Sequence, residues 1–194
     1  MSVKKNIYTV KNDMPAHVRL VAVSKTKPAE IIQEAYNAGH RVFGENKAQD
    51  MIAKQAILPP DIEWHFIGHL QTNKVKQIVA FTAMIESVDS VKLLKEINKQ
   101  AAKTNRKIKC LLQFHIAKEE SKYGLDLKEA RQLLSSPEYQ EMKHVEICGV
   151  MGMATFTQDK DVLKEEFASL RKYFEDLKQE FFKDKETFKE ISMG

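Results

Sequence analysis

From residue 16 onward, short apolar runs alternate with longer stretches whose apolar residues return every three to five positions. The short runs fall at residues 18–24, 41–44, 63–67, 84–88, 108–116, 145–151 and 188–192. Most are rich in Val, Ile, Leu and Ala with little polar alternation, the pattern of parallel-sheet strands covered on both faces. Between them, residues 28–38, 46–55, 73–80, 90–103, 127–134 and 161–182 read as amphipathic helices. The last is the longest, with Val162, Phe167, Leu170, Phe174, Leu177 and Phe181 on one face. Pro28 opens the first and Gly39 stops it. A leading amphipathic helix is expected at residues 3–10.

Strands alternating with helices imply βαβ units and a parallel sheet. A doubly wound sheet is one solution, but no strand is followed by G-x-G-x-x-G or a Walker loop. The other is a (β/α)8 TIM-type barrel, which needs one strand more than the pattern supplies. The preferred expectation is such a barrel, one domain over residues 1–194, with its final βα unit missing after Met193 and Gly194.

Composition narrows the class. The chain has 194 residues, 43% of them hydrophobic, enough for one sizeable core. Its 31 basic and 27 acidic residues leave a net charge of +4 and are interspersed, which calls for neither nucleic acid nor a membrane. The longest apolar run, near residues 78–85, is too short to span a bilayer. Residues 1–14 lack the apolar core of a secretory signal. Cys110 and Cys148 each fall inside an expected buried strand and read as reduced core thiols. A cytoplasmic location is expected.

The first strand delivers Lys25 to its C-terminal end, where ligands sit in α/β folds. A primary amine there can form a Schiff base with a carbonyl compound, and burial would free it from its proton; a solvated strand-end lysine is the plainer alternative. Ser24-Lys25-Thr26-Lys27 also fits S-x-x-K, but the S-D-N and K-T-G partners of serine acyl-enzymes are absent. His65 and His69 are four apart without the glutamate of H-E-x-x-H, in a stretch that reads as strand and turn, so a metal site is not expected. His115 closes the fifth strand as a hydrogen-bonded residue. Phe43-Gly44-Glu45-Asn46 ends the second, with a glycine suited to close ligand approach, two polar groups at the mouth, and Asn46 as helix N-cap. Residues 119–125 form a polar loop containing Tyr123. Gly149-Val150-Met151-Gly152 ends the sixth strand with glycines that suit either a flat ring or tight packing.

Taken together, VAVSKTKP, FGEN, WHFIGHLQTNK, EESKYG, GVMGMA and the final SMG resemble, in order and spacing, one family over residues 17–194. These are the pyridoxal phosphate (PLP) homeostasis proteins, the YggS or proline-synthase co-transcribed family, related to the N-terminal barrel domain of alanine racemase. The resemblance implies a fold-type III PLP barrel. Lys25 matches the Schiff-base lysine, and Lys27 matches a helix-start position with no such role. Asn46 and His65 match residues near the cofactor's ring hydroxyl and face, Met151 would pack beside the ring, and Ser192 matches the start of the phosphate cradle.

Family members continue past SMG with a second serine, an acidic residue, a helix and a G-S-T-x-V-R-I-G strand. That strand supplies phosphate donors and an arginine facing the pyridine nitrogen. Gln113-Phe114-His115 also departs from the Val/Ile-Asn of many relatives. The function implied is a non-catalytic PLP carrier in PLP homeostasis. The alternative is a PLP-dependent racemase, which needs a tyrosine base on the ring's far face. The implied partners are PLP and PLP-dependent apo-enzymes, in a monomer or weak homodimer.

Overall fold

The structure is a computed structural model and describes residues 2–117 and 123–193. The elements run α1 (Val3–Asp13), β1 (Ala22–Val23), α2 (Ala29–Asn37), β2 (Val42–Glu45), α3 (Ala48–Gln55), β3 (Glu63–Phe66) and α4 (Thr72–Ile78). They continue with β4 (Thr82–Val88), α5 (Val91–Lys103), β5 (Ile108–Phe114), α6 (Leu127–Ser135), α7 (Pro137–Gln140), β6 (Val145–Gly152), α8 (Lys160–Phe181) and β7 (Glu190–Ser192).

Among the described residues the seven strands are all parallel and stand in the order β1 to β7. Sequential order with no reversal rules out the doubly wound alternative, and the sheet curls into a half-barrel with β1 and β7 as its edges. Its C-terminal strand ends therefore share one rim.

Alternation divides the side chains between two faces. Trp64, Phe66, Ile85, Cys110, Leu112, Phe114, Ile147 and Val150 join the helices in the large core. Met84, Leu111, Cys148 and Met151 form a small separate cluster on the concave side. Local signals set the helix ends: Ser90 caps α5 by accepting the Leu93 N–H, and Asp126 with Glu129 forms a capping box on α6. Gly39, at φ +87°, stops α2.

Three departures have physical causes. β1 is two residues long, not the seven expected at 18–24, because β2 begins only at Val42, the residue level with Val21. β7 starts at Glu190 rather than 188, since Phe188 turns into the core between Phe174 and Phe182, both stacked on its ring. The short α7, opened by Pro137 and capped by Ser136, has too few residues to show a period. Both thiols are free and buried, as expected. No helix among the described residues is long and apolar enough to cross a membrane.

Candidate functional site

Strand register places the singled-out residues in layers at the C-terminal rim. Val23 is level with Gly44, Gly44 with His65, and His65 with Met84. Lys25 and Asn46 each follow by two residues, just past the C-terminal ends of β1 and β2. On the opposite side of the arc, Gln113, Met151 and Ser192 are level with one another. His115 lies one residue past β5, its N–H bonded to the Leu125 carbonyl.

Lys25 is exposed, so the expected burial of its amine is not met, and among the described residues it makes no hydrogen bond or ion pair. Its backbone is nonetheless held. The Ser24 N–H donates to the Gly44 carbonyl at 2.9 Å, and the Lys27 N–H donates to the Ser24 carbonyl at 3.0 Å, closing a turn around Lys25 and Thr26.

On the other face of that strand end lies a buried polar cluster. Ser24 Oγ donates to Glu45 Oε1 at 2.6 Å, and Lys54 Nζ donates to the same oxygen at 2.6 Å and to the Ser24 carbonyl at 2.9 Å. The Glu45 side chain is fully buried, and its Oε2 has no hydrogen-bond partner among the described residues. Glu45 thus turns away from the mouth where it was expected, because Lys54 offers a charge to match its own.

On the concave face, Arg19 Nη2 meets His65 Nε2 at 3.0 Å, His65 Nδ1 meets Glu86 Oε1 at 2.6 Å, and Ser192 Oγ donates to Glu86 Oε2 at 2.6 Å. Arg19 can only donate, which makes Nε2 the acceptor and assigns the ring proton to Nδ1. His65 is buried, and His69 instead bonds Asp89 at 2.8 Å and stacks on Tyr123 at 3.9 Å. The two histidines are thus tied to different partners.

Other expectations are corrected by packing. Asn46 does not cap α3; the N-cap is Lys47, without a side-chain bond. A Cβ at Gly44 would meet Ile67 Cδ1 at 3.0 Å and Val21 Cγ1 at 3.2 Å, so side chains already fill the space assigned to a ligand. The Gly149 Cα side faces the Glu190 carbonyl, which a Cβ would approach to 1.8 Å, so this glycine serves strand packing rather than a flat ring. Of the 119–125 loop, residues 119–122 lie outside the described residues. Beside Asn46 opens a cleft of about 290 Å³, lined also by Lys47, Phe66, His69, Leu70 and Lys74; Lys25 does not contribute to it.

Sequence reading missed Arg19, Lys54 and Glu86. Glu86 did carry a signal: a carboxylate inside an otherwise apolar strand run demands a buried partner. Lys54 carried none, since nothing separates it from other lysines on an amphipathic helix.

A parallel half-barrel with an amine just past its first strand defines a class, and comparison with known proteins identifies it. The alanine racemase N-terminal domain family matches residues 1–193. The pyridoxal phosphate homeostasis protein of Aquifex aeolicus is 36% identical over 165 residues, covering 84% of this chain and 71% of that one. The human protein of the same name is 40% identical over 157 residues, 76% of this chain but only 57% of its own length.

PipY of Synechococcus elongatus, solved without PLP, superposes with a TM-score of 0.92 at 35% identity. Its PLP-bound structure gives 0.88; both comparisons cover 100% of this chain and 89% of the other. Alanine racemase of Bartonella henselae shares the fold at a TM-score of 0.70 and 18% identity, over 89% of this chain and 51% of its own. The chain belongs to the alanine racemase N-terminal domain family and, within it, to the pyridoxal phosphate homeostasis proteins.

Proposed function

We propose that this chain binds PLP at the mouth of its half-barrel through Lys25, as a carrier in cytoplasmic PLP homeostasis with little or no catalysis of its own. The observation that carries the reading is Lys25 itself: an exposed amine with no partner among the described residues, past a strand whose backbone is fixed. PLP, when bound, supplies an aldehyde that a primary amine converts to a Schiff base with loss of one water. The donor set fits such a group. Lys25 offers its nitrogen just past β1, Asn46 follows the end of the neighbouring β2, and His65 on β3 has its Nδ1 hydrogen-bonded to Glu86. Met151 and Ser192 stand level with each other at the same rim, and a phosphate site after the later strands is usual for barrels.

The carrier reading is favoured over a racemase because that chemistry needs a second base across the ring. The loop tyrosine, Tyr123, is instead stacked on His69. PLP-dependent apo-enzymes are the proposed recipients. The test is incubation with PLP, borohydride reduction and peptide mapping. A pyridoxyl group on Lys25 is expected, with no deuterium exchange at Cα of added alanine. Label on Lys27 alone, or steady exchange, would overturn the reading.

A further inference from the structure

The turn that presents Lys25 is strained. Thr26, its third residue, has φ +64°, a region usually left to Gly or Asn in such turns and unfavourable for a β-branched side chain. A conformation of this kind persists only where surrounding contacts over-determine it. Here those contacts converge on Ser24, held at its N–H by Gly44, at its hydroxyl by Glu45, and at its carbonyl by both Lys27 N–H and Lys54 Nζ.

Lys54 is the keystone of this arrangement. Its side chain is only 12% exposed, and its ammonium is the cation facing the fully buried Glu45. No solvated surface pair would hold a backbone carbonyl in this way; this one is withdrawn from water, where hydrogen bonds to charged groups are strongest. It also spans elements, joining α3 to the ends of β1 and β2.

We propose that Lys54, acting through Glu45 and Ser24, is a positioning residue that sets the direction of Lys25 and selects it over Lys27 for reaction with a carbonyl ligand. This rests on the reading of Lys25 as the PLP-binding lysine. Lys54 does not itself touch the ligand. Its ammonium fixes the peptide immediately before Lys25, so that the side chain of Lys25 leaves the turn toward the mouth. Without it the strained turn relaxes, and Lys25 and Lys27 become equivalent surface amines.

The experiment compares the unmodified chain, Lys54→Met and Lys54→Arg by PLP labelling, borohydride reduction and quantitative mapping of Lys25 and Lys27. Circular dichroism and thermal unfolding are recorded for each. The unmodified chain should carry its label on Lys25. In Lys54→Met, apparent PLP affinity should fall about tenfold, the cost of one hydrogen bond to a charged group, and label should spread to Lys27. Lys54→Arg, which keeps a donor and a charge, should restore the preference for Lys25. If Lys54→Met does not fold, Glu45→Gln/Lys54→Met takes its place, because it removes both charges together. A folded variant with undiminished, Lys25-selective labelling overturns the proposal and leaves the Lys25 reading standing. Absence of label on Lys25 in the unmodified chain overturns the Lys25 reading, and this proposal with it.

Discussion

Ser192 on β7 donates a 2.6 Å hydrogen bond to Glu86 on β4, across the concave side of the sheet. These strands are three positions apart in the sheet, a separation of roughly 14 Å if it were flat. The bond is a chord that records how tightly the sheet curls. Glu86 also accepts a hydrogen bond from His65 Nδ1, and His65 in turn accepts one from Arg19, so one carboxylate ties β7 to β3 and to the approach to β1.

Removing Glu86 should therefore cost more than removing its terminal partner. Glu86→Ala leaves the buried His65 donor and the half-buried Ser192 hydroxyl unpaired, a loss of about 2–4 kcal/mol, while Ser192→Ala removes one hydrogen bond worth about 1 kcal/mol. Urea unfolding of both variants measures this. Equal losses would show that the chain through His65 contributes nothing.

Lys25→Ala should abolish borohydride-trapped labelling by PLP, and Lys27→Ala should leave it unchanged. Neither should change the unfolding free energy by more than about 0.5 kcal/mol, since both residues are exposed. Mass spectrometry of the intact reduced protein reads the outcome directly.

Gly149→Ala should be among the most damaging single changes. At φ +155° with the Glu190 carbonyl in the path of a Cβ, the substitution forces β6 and β7 apart. A loss of about 2–4 kcal/mol is expected in thermal or urea unfolding. A loss below about 1 kcal/mol would mean that β7 shifts freely.

The two thiols should resist modification. Burial pushes Cys148 up to about 11, and Cys110, wholly inside the core, is raised further. Neither should react with a disulfide reagent at pH 8 in native buffer, and both should react in denaturant. The same shift makes stability fall with pH from the ordinary thiol value of 9.0 upward, because only the unfolded chain releases its proton there.

His40 governs part of the acid side. Its Nε2 proton is donated to the Val42 carbonyl at 2.7 Å, and burial holds its pKa below the usual 6.5. The unfolded chain therefore takes up the proton first, so this contribution to stability is complete above pH 6.5 and is lost as pH falls. His40→Gln should flatten the dependence between pH 6.5 and 5 in urea unfolding; an unchanged slope would assign it to other groups.

What could be read along the chain is what short spacings encode. The period of the apolar residues located the strands and most of the helices, because burial on one face repeats every two or about 3.6 residues. Gly39 and Pro28 marked the limits of α2, since each restricts local backbone geometry. The position of Lys25 past an apolar run was legible for the same reason. Tertiary structure alone decided which polar groups meet. Lys54 lies 30 residues from Ser24, and Ser192 lies 106 from Glu86; neither pairing leaves a periodic trace. It also assigned the glycines to packing, because the atom that excludes a Cβ at Gly149 belongs to a strand some forty residues later. Periodicity reports the face a residue presents, whereas partners depend on the register and curvature of the assembled sheet.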